Sequence, residues 1–453
     1  MPARLLEAFA TTTPFADLFS DQSVLQAMLD FEAALARAEA KAGMVPSAAA
    51  ESIAAAARAE NFDTAALASA TLRAGTLSIP VVKALTERVR VRNPEAAGFV
   101  HWGATSQDLA DTALILLLKK ARGMLDLLSL EKSLRRLSEE HAHTVMLGRT
   151  LMQPAPPITF GLKAAGWLGS VRRGHRRLDV AFAEALVLQF GGASGTLAAL
   201  DGQGLAIAQI LAADLGLALP DAPWHTQRDR LAALLCACGV LVGSLAKMAR
   251  DLSLLMQAEV AEVSEPSGEG RGGSSTMPHK RNPVGCMATL AAAHRVSANV
   301  AAFLSAMVQE HERGVGGWQA EWPIVAAVMQ GTAVAVACMT EVAEGLSVHS
   351  AHMRANIEAT NGAIFAERAM MLLAPKLGRD VAHKLLEATS RKSAAEKRRL
   401  KDVLAEMPEV TRHLDKTTIA GLESPELYLG NAETFRKRLL SSVGQPDDGE
   451  KEP

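Results

Sequence analysis

Apolar side chains recur every three and four residues through VLQAMLDFEAALARAEAKAG, from about Ser23 to Gly43, after the capping candidates Asp21 and Ser23 and up to a glycine. That period places them on one stripe, so the segment predicts an amphipathic helix. Shorter helical stretches follow in ESIAAAARAE and DTAALASATLRAG, and another lies around Val81 to Val91, which together predict a small helical domain over residues 1–108. From Leu109 to about Leu147 there is no proline, and Gly123 is the only glycine. The pattern predicts one helix of roughly 35 to 40 residues, about 55 Å long at about 1.5 Å per residue. Comparable rods are predicted at Ile158 to Gln189, Arg228 to Val263, Val284 to Val308 and Pro323 to Leu346. Rods of this length must find partners along their whole extent, which predicts a bundle over residues 109–350. Shorter helices then predict a C-terminal domain over 351–440, and a polar tail over 441–453 has little to bury. The expected fold class is all-α, with three helical domains. Helices apolar on more than one face further predict a homo-oligomer.

Composition fits this picture: 49% of the 453 residues are hydrophobic and only 4% aromatic, so the core is aliphatic and alanine-rich. With 47 Lys+Arg against 49 Asp+Glu, the net charge of -2 provides no global field for nucleic acid or an anionic membrane, and neither is an expected partner. No apolar run is read as long enough to span a bilayer, and no leader-like segment opens the chain, so a cytoplasmic protein is expected. Cys236, Cys238, Cys286 and Cys338 show no paired metal-ligand spacing and read as reduced core thiols.

The densest polar cluster is SEPSGEGRGGSSTMPHKRNPVGC, Ser264 to Cys286, set between two apolar rods. Its glycines allow movement, and Lys280, Arg281 and Asn282 place anion-binding groups just before a helix start. An ordinary flexible connection would share those glycines.

The string GSSTMPHKRNP is more specific: it resembles GSSxMPxKxNP, the signature of the fumarase/aspartase superfamily, whose members eliminate or add groups across a C–C bond beside a carboxylate. The resemblance implies Ser274 as the base that exchanges a proton alpha to a carboxylate, with Lys280 and Asn282 holding the charge that grows on that carboxylate. Serine is a weak base and needs backbone N–H groups, a helix N-terminus and a lysine nearby, all of which the loop can supply. Ser275 and His279 have weaker claims.

Two further blocks extend the resemblance. HWGATSQDLADT, His101 to Thr112, is similar to the family's first region, which implies a carboxylate site at Thr105 and Ser106 with Gln107 and His101 beside it. The same residues could also cap the long helix, through Ser106 or Asp108. GRTLMQPAPPITFG, Gly148 to Gly161, resembles GRTHxQxAxPxTxG, implying substrate contacts from Arg149, Thr150 and Gln153. Here the family's general-acid histidine is replaced by Leu151. An amide anion needs an acid to leave, whereas a carboxylate, with a conjugate-acid pKa of about 4, does not. Leu151 therefore favours the lactonising branch over an adenylosuccinate-lyase-like activity.

HERGVGGWQAEW, containing Arg313, and PWHTQRDR, containing Gln227 and Arg228, fit that branch and the superfamily respectively. The resemblance implies a small tricarboxylate substrate, a homotetramer with active sites shared among subunits, and neither metal nor organic cofactor. A sulfomuconate enzyme, an adenylosuccinate-lyase-like member and a non-catalytic crystallin-like protein remain open alternatives.

Overall fold

The computed structural model describes residues 5–441 except Glu269, Ser274, Ser275, Pro278 and His279. The tail expected from residue 442 onward lies outside the described residues. The first amphipathic helix, α1, forms over Asp21–Lys41, its start capped by Ser20, whose hydroxyl accepts the Ser23 N–H at 3.2 Å. Its buried face carries Leu25, Met28, Leu29, Phe31 and Leu35. Each such side chain contributes roughly 1.5–3 kcal/mol on full burial.

The helix expected from Leu109 to Leu147 is not one rod. It divides into α2, Ser106–Met124, and α3, Leu127–Glu140, with a break at Leu125, two residues after the only glycine of the stretch. The chain then forms an antiparallel hairpin, β1 over Val145–Thr150 and β2 over Gln153–Thr159, with Thr150 opposite Gln153. Pro154, Pro156 and Pro157 exclude helix from β2, and a two-stranded edge tolerates them. Val145 and Leu147 seat the hairpin on Ile357, Ile364 and Phe365.

Four long helices follow: α4 over Phe160–Ala185, α5 over Asp229–Leu255, α6 over Val284–Ala306 and α7 over Gly317–Gly345. α7 begins six residues before the expected Pro323, which lies inside it. The chain groups into two compact units. The first takes the chain to Leu127 with Arg173–Ala246 and Ala288–Cys338; the second takes Leu128–Arg172, Lys247–Met287 and the chain from Met339.

Within the first unit, glycines bring the long helices close. A methyl group at Gly174 of α4 would meet Leu241 of α5 at 2.9 Å, and one at Gly331 of α7 would meet Val296 of α6 at 2.7 Å. Within the second unit, Trp167 of α4 donates to Asp251 of α5 at 2.8 Å. Its C-terminal helices share a core of Leu373, Leu386, Leu404 and Leu414. Among the described residues the fold is all-α apart from the hairpin, a two-residue strand pair, Val263–Ser264 with Ser347–Val348, and a single bridge between Val187 and Ala218.

Two expectations need correction. α5 and α7 are long and apolar enough to cross a membrane by length and composition, although no such run was expected. Just over half of each apolar window (56%) is buried inside the protein, as in core helices. Of the four thiols, all free, only Cys238 and Cys286 are fully buried; burial pushes the Cys238 thiol up to about 12.

Glu39 of α1 has no solvent exposure, neither carboxyl oxygen has a partner among the described residues, and burial first, then the charge of Glu32, pushes its pKa up to about 9. The folded chain holds this proton while the unfolded chain releases it above pH 4.5, so stability is lost as pH rises from 4.5 to 9. Glu39→Gln should match wild type near pH 5 and exceed it increasingly above, by up to about 1.4 kcal/mol per pH unit. Urea unfolding at pH 5, 7 and 9 checks this; a difference independent of pH would contradict it.

Candidate active site

In the first unit, the site is organised by two buried aspartates in the first turns of α2. Thr105 is the extended N-cap residue, and its N–H donates to Asp108 Oδ2 at 3.1 Å. Thr105 therefore caps the helix, with Asp108 reaching back, rather than Ser106. Asp108 also accepts from the N–H groups of Gly191 (3.0 Å) and Gly192 (2.9 Å) and lies 2.7 Å from His225 Nε2. A side chain at Gly191 would strike the His225 ring at 2.7 Å, so this contact requires glycine.

Asp111, one turn on, accepts from Arg228 (2.7 and 3.1 Å), from Trp318 Nε1 at 3.0 Å and from Gln107 Nε2 at 3.0 Å. Arg228 is fully buried, and its Nε also donates to both Glu321 oxygens at 3.1 and 3.0 Å. Burial disfavours the Arg228 charge, but Asp111 and Glu321 outweigh it and hold the guanidinium protonated. Two carboxylates around one cation leave surplus negative charge; burial raises the Glu321 pKa, opposed by Arg228. Gln309 donates a further hydrogen bond to Glu321 at 2.7 Å.

This frame supports the candidate ligand-binding groups. The Gln107 amide is buried and spent on Asp111 and the His225 carbonyl, the latter at 2.6 Å, so it serves the frame. His101 Nδ1 is 2.6 Å from Glu32 Oε1. Arg313 donates to the carbonyls of Gly192 (2.7 Å) and Ala193 (2.9 Å), and among the described residues no carboxylate pairs with it. Burial lowers its pKa, opposed by Asp108 and Asp111. Gln227 is exposed. His101, Thr105, Ser106 and Arg313 thus border the start of α2, where an arginine and a histidine suit an anion.

In the second unit, Thr150 and Gln153 are exposed at the end of the hairpin, joined by Leu151 and Met152. Both joining residues have positive φ, 50° and 66°, as the central residues of a type I′ turn do. Leu151 is 97% exposed and has no acid to offer. Arg149 is committed to Glu262 by two hydrogen bonds of 3.0 and 2.7 Å, and Asn356 donates to the same carboxylate at 2.8 Å. Arg149, Met152, Gln153 and Asn356 line a cavity of about 590 Å³.

The signature loop is anchored in this unit at both ends. Glu265 is buried and accepts from the N–H groups of Gly285 (3.0 Å) and Cys286 (2.9 Å), capping α6, while Arg271 bridges Glu265 and Glu341. The Asn282 N–H donates to the Gly272 carbonyl at 2.9 Å, and the Lys280 N–H to Met277 at 3.0 Å. Ser274, Ser275 and His279 lie outside the described residues.

Gly272 sits at φ +64°, and a Cβ there would come 2.7 Å from the Asn282 carbonyl oxygen. Gly272→Ala should cost about 1–3 kcal/mol locally. The expected result is a kcat/KM reduced at least about tenfold, the equivalent of about 1.4 kcal/mol, with a nearly unchanged Tm. Unchanged kcat/KM would contradict the anchoring role.

Asp111, His225, Glu321 and Glu262 were not singled out in the sequence, and Asp108 was read there only as a capping candidate. Each is a charged or polar residue beside a motif, but only burial reveals the networks they form.

The chain as a whole matches known enzymes. A family described as lyase matches residues 7–298, and the adenylosuccinate lyase C-terminus matches residues 362–439. The chain belongs to the fumarase/aspartase superfamily. It is 50% identical to the 3-carboxy-cis,cis-muconate cycloisomerase of Bradyrhizobium diazoefficiens over 425 residues, 93% of this chain and 94% of that protein. The crystal structure of the 3-carboxy-cis,cis-muconate lactonizing enzyme from Pseudomonas putida superposes with a TM-score of 0.91 at 45% identity, covering 97% of this chain and 98% of that one. Nitrosuccinate lyase of Streptomyces davaonensis is 40% identical, covering 98% of this chain and 95% of that protein.

Proposed function

We infer that this chain is an enzyme that converts 3-carboxy-cis,cis-muconate to 4-carboxymuconolactone. The observation that carries the reading is Leu151 at the exposed turn: where an amine-releasing member would place an acid, this chain has an alkyl group. The relatives named for this reaction, similar over nearly the whole chain, support it.

One carboxylate oxygen of the substrate adds across a C=C bond conjugated to another carboxylate. A C–O bond forms, and the π electrons move onto the second carboxylate as an aci-carboxylate. Ser274 then delivers a proton to the carbon alpha to it. Lys280 and Asn282 stabilise the transient charge, a contribution that is large when donors are preorganised. Thr105, Ser106, His101 and Arg313 hold a second carboxylate, and Thr150 and Gln153 contact the substrate from the hairpin. Arg149 and Gln107 orient these groups, since both are committed to protein partners. In reverse, the lactone expels a carboxylate, which needs no acid. The mechanism calls on neither a metal nor an organic cofactor.

The chain is further read as three helical domains, 1–108, 109–350 and 351–440, acting in the protocatechuate branch of aromatic catabolism. Four free cysteines suit the reducing cytoplasm. Exposed apolar residues on the long helices, Val180, Val240, Met287 and Leu304, suit a homotetramer with shared active sites. Light scattering during gel filtration should give about four times 47.8 kDa, whereas a monomer mass would overturn the assembly.

A further inference from the structure

In the first unit, the ring of His101 is committed through one of its two nitrogens. His101 Nδ1 contacts Glu32 Oε1 at 2.6 Å, while Nε2 makes no hydrogen bond among the described residues. The His101 side chain is 15% exposed and that of Glu32 is 0% exposed. Its backbone is fixed as well: φ is 59°, Gly103 follows at 65°, and a Cβ at Gly103 would fall 2.4 Å from Leu200. A non-glycine residue keeps such a conformation only where its surroundings over-determine it.

We propose that Glu32 is a positioning residue of the active site: its buried carboxylate grips Nδ1 of His101 and presents the ring, through Nε2, as a cationic donor to a carboxylate of the substrate. The inference rests on the lactonising reaction proposed above. A neutral ring donating Nδ1–H to Glu32 would turn a lone pair on Nε2 toward the substrate carboxylate and repel it. The charged ring donates from both nitrogens.

The neighbouring groups favour the charged ring. Burial is the largest single effect and lowers the His101 pKa, but the charge and hydrogen bond of Glu32, with the charge of Asp108 from α2, together raise it above 6.5. Glu39, seven residues along α1 from Glu32 and on the same face, is held protonated and adds no competing negative charge. Asp108 is itself shared with His225, and the Arg313 guanidinium faces it without pairing.

The test is the pH dependence of kcat/KM for 3-carboxy-cis,cis-muconate in wild type and Glu32→Gln. Wild type should lose kcat/KM on an alkaline limb as His101 deprotonates. The variant's limb should lie at least about one pH unit lower, so its loss of kcat/KM relative to wild type should shrink as the pH falls. An unmoved limb, or the same loss at every pH, would overturn the proposal. Should Glu32→Gln not fold, NMR of wild-type protein carrying 13C-labelled histidine, with the His101 signal assigned by His101→Asn, gives the answer. A midpoint above 6.5 supports the charged ring, and one below it overturns the proposal. If wild type shows no turnover of this substrate, the reaction assignment fails, while the NMR midpoint still decides the Glu32–His101 relation.

Discussion

Ser274→Ala is expected to reduce kcat by roughly 10²–10⁴-fold, the usual contribution of a positioned proton-transfer group. KM should change only a few-fold and Tm should stay near wild type, because the Asn282 to Gly272 hydrogen bond and the Glu265 cap of α6 anchor the loop independently of this side chain. Alanine can neither deliver the proton to carbon nor retrieve it, while the carboxylate-holding groups remain. Steady-state kinetics with a melting curve on the same preparation checks this. A kcat within about threefold of wild type would remove Ser274 from proton transfer, because that is below the smallest effect such groups usually have.

The second large effect is on stability. Arg228→Met should destabilise the protein by about 3–5 kcal/mol, the cost of leaving buried partners without their counter-ion. Asp111 and Glu321 would then face each other without a cation, and Trp318 and Gln107 would lose the fixed acceptor that orients them. Arg228→Lys should recover only part of the loss, since an ammonium cannot reproduce the fork that spans both carboxylates. Urea denaturation checks both variants. A loss under about 1 kcal/mol for Arg228→Met would place the pair among weak ion pairs such as those at surfaces and refute the framing role.

How much could be read from the sequence depends on the range of the cause. Helix period is local, so α1 was legible within two residues at each end, although its cap is Ser20 rather than Asp21 or Ser23, and the long helices α4 to α7 were recognisable as rods. The hairpin was not, because Val145 to Leu147 alone are consistent with a continuing helix. Only the proline-rich partner strand and the seat on Ile357 and Phe365 show otherwise. The start of α7 was missed because Pro323 looked like a boundary, although Trp318 and Glu321 before it are held by Asp111 and Arg228.

For the site, the motifs marked segments in the sequence, whereas the contacts that divide labour within them are long-range. Gln107 and Arg149, read as substrate contacts, have partners 118 and 113 residues away in the chain, beyond any local pattern. Glu32 sits among the apolar positions of α1, and a charge on a buried stripe was the available signal; its partner His101 is 69 residues distant. Leu151 was legible as a departure from the family pattern, and the structure adds that it occupies an exposed left-handed turn.

The central claim is that the chain closes a carboxymuconate to a lactone with Ser274 as proton donor and no acid at position 151. Purified protein incubated with 3-carboxy-cis,cis-muconate tests it most directly, following loss of diene absorbance and identifying the product by NMR. Rapid conversion to 4-carboxymuconolactone is expected, with no fumarate release from adenylosuccinate. An unchanged diene spectrum, alongside fumarate release from adenylosuccinate, would contradict it.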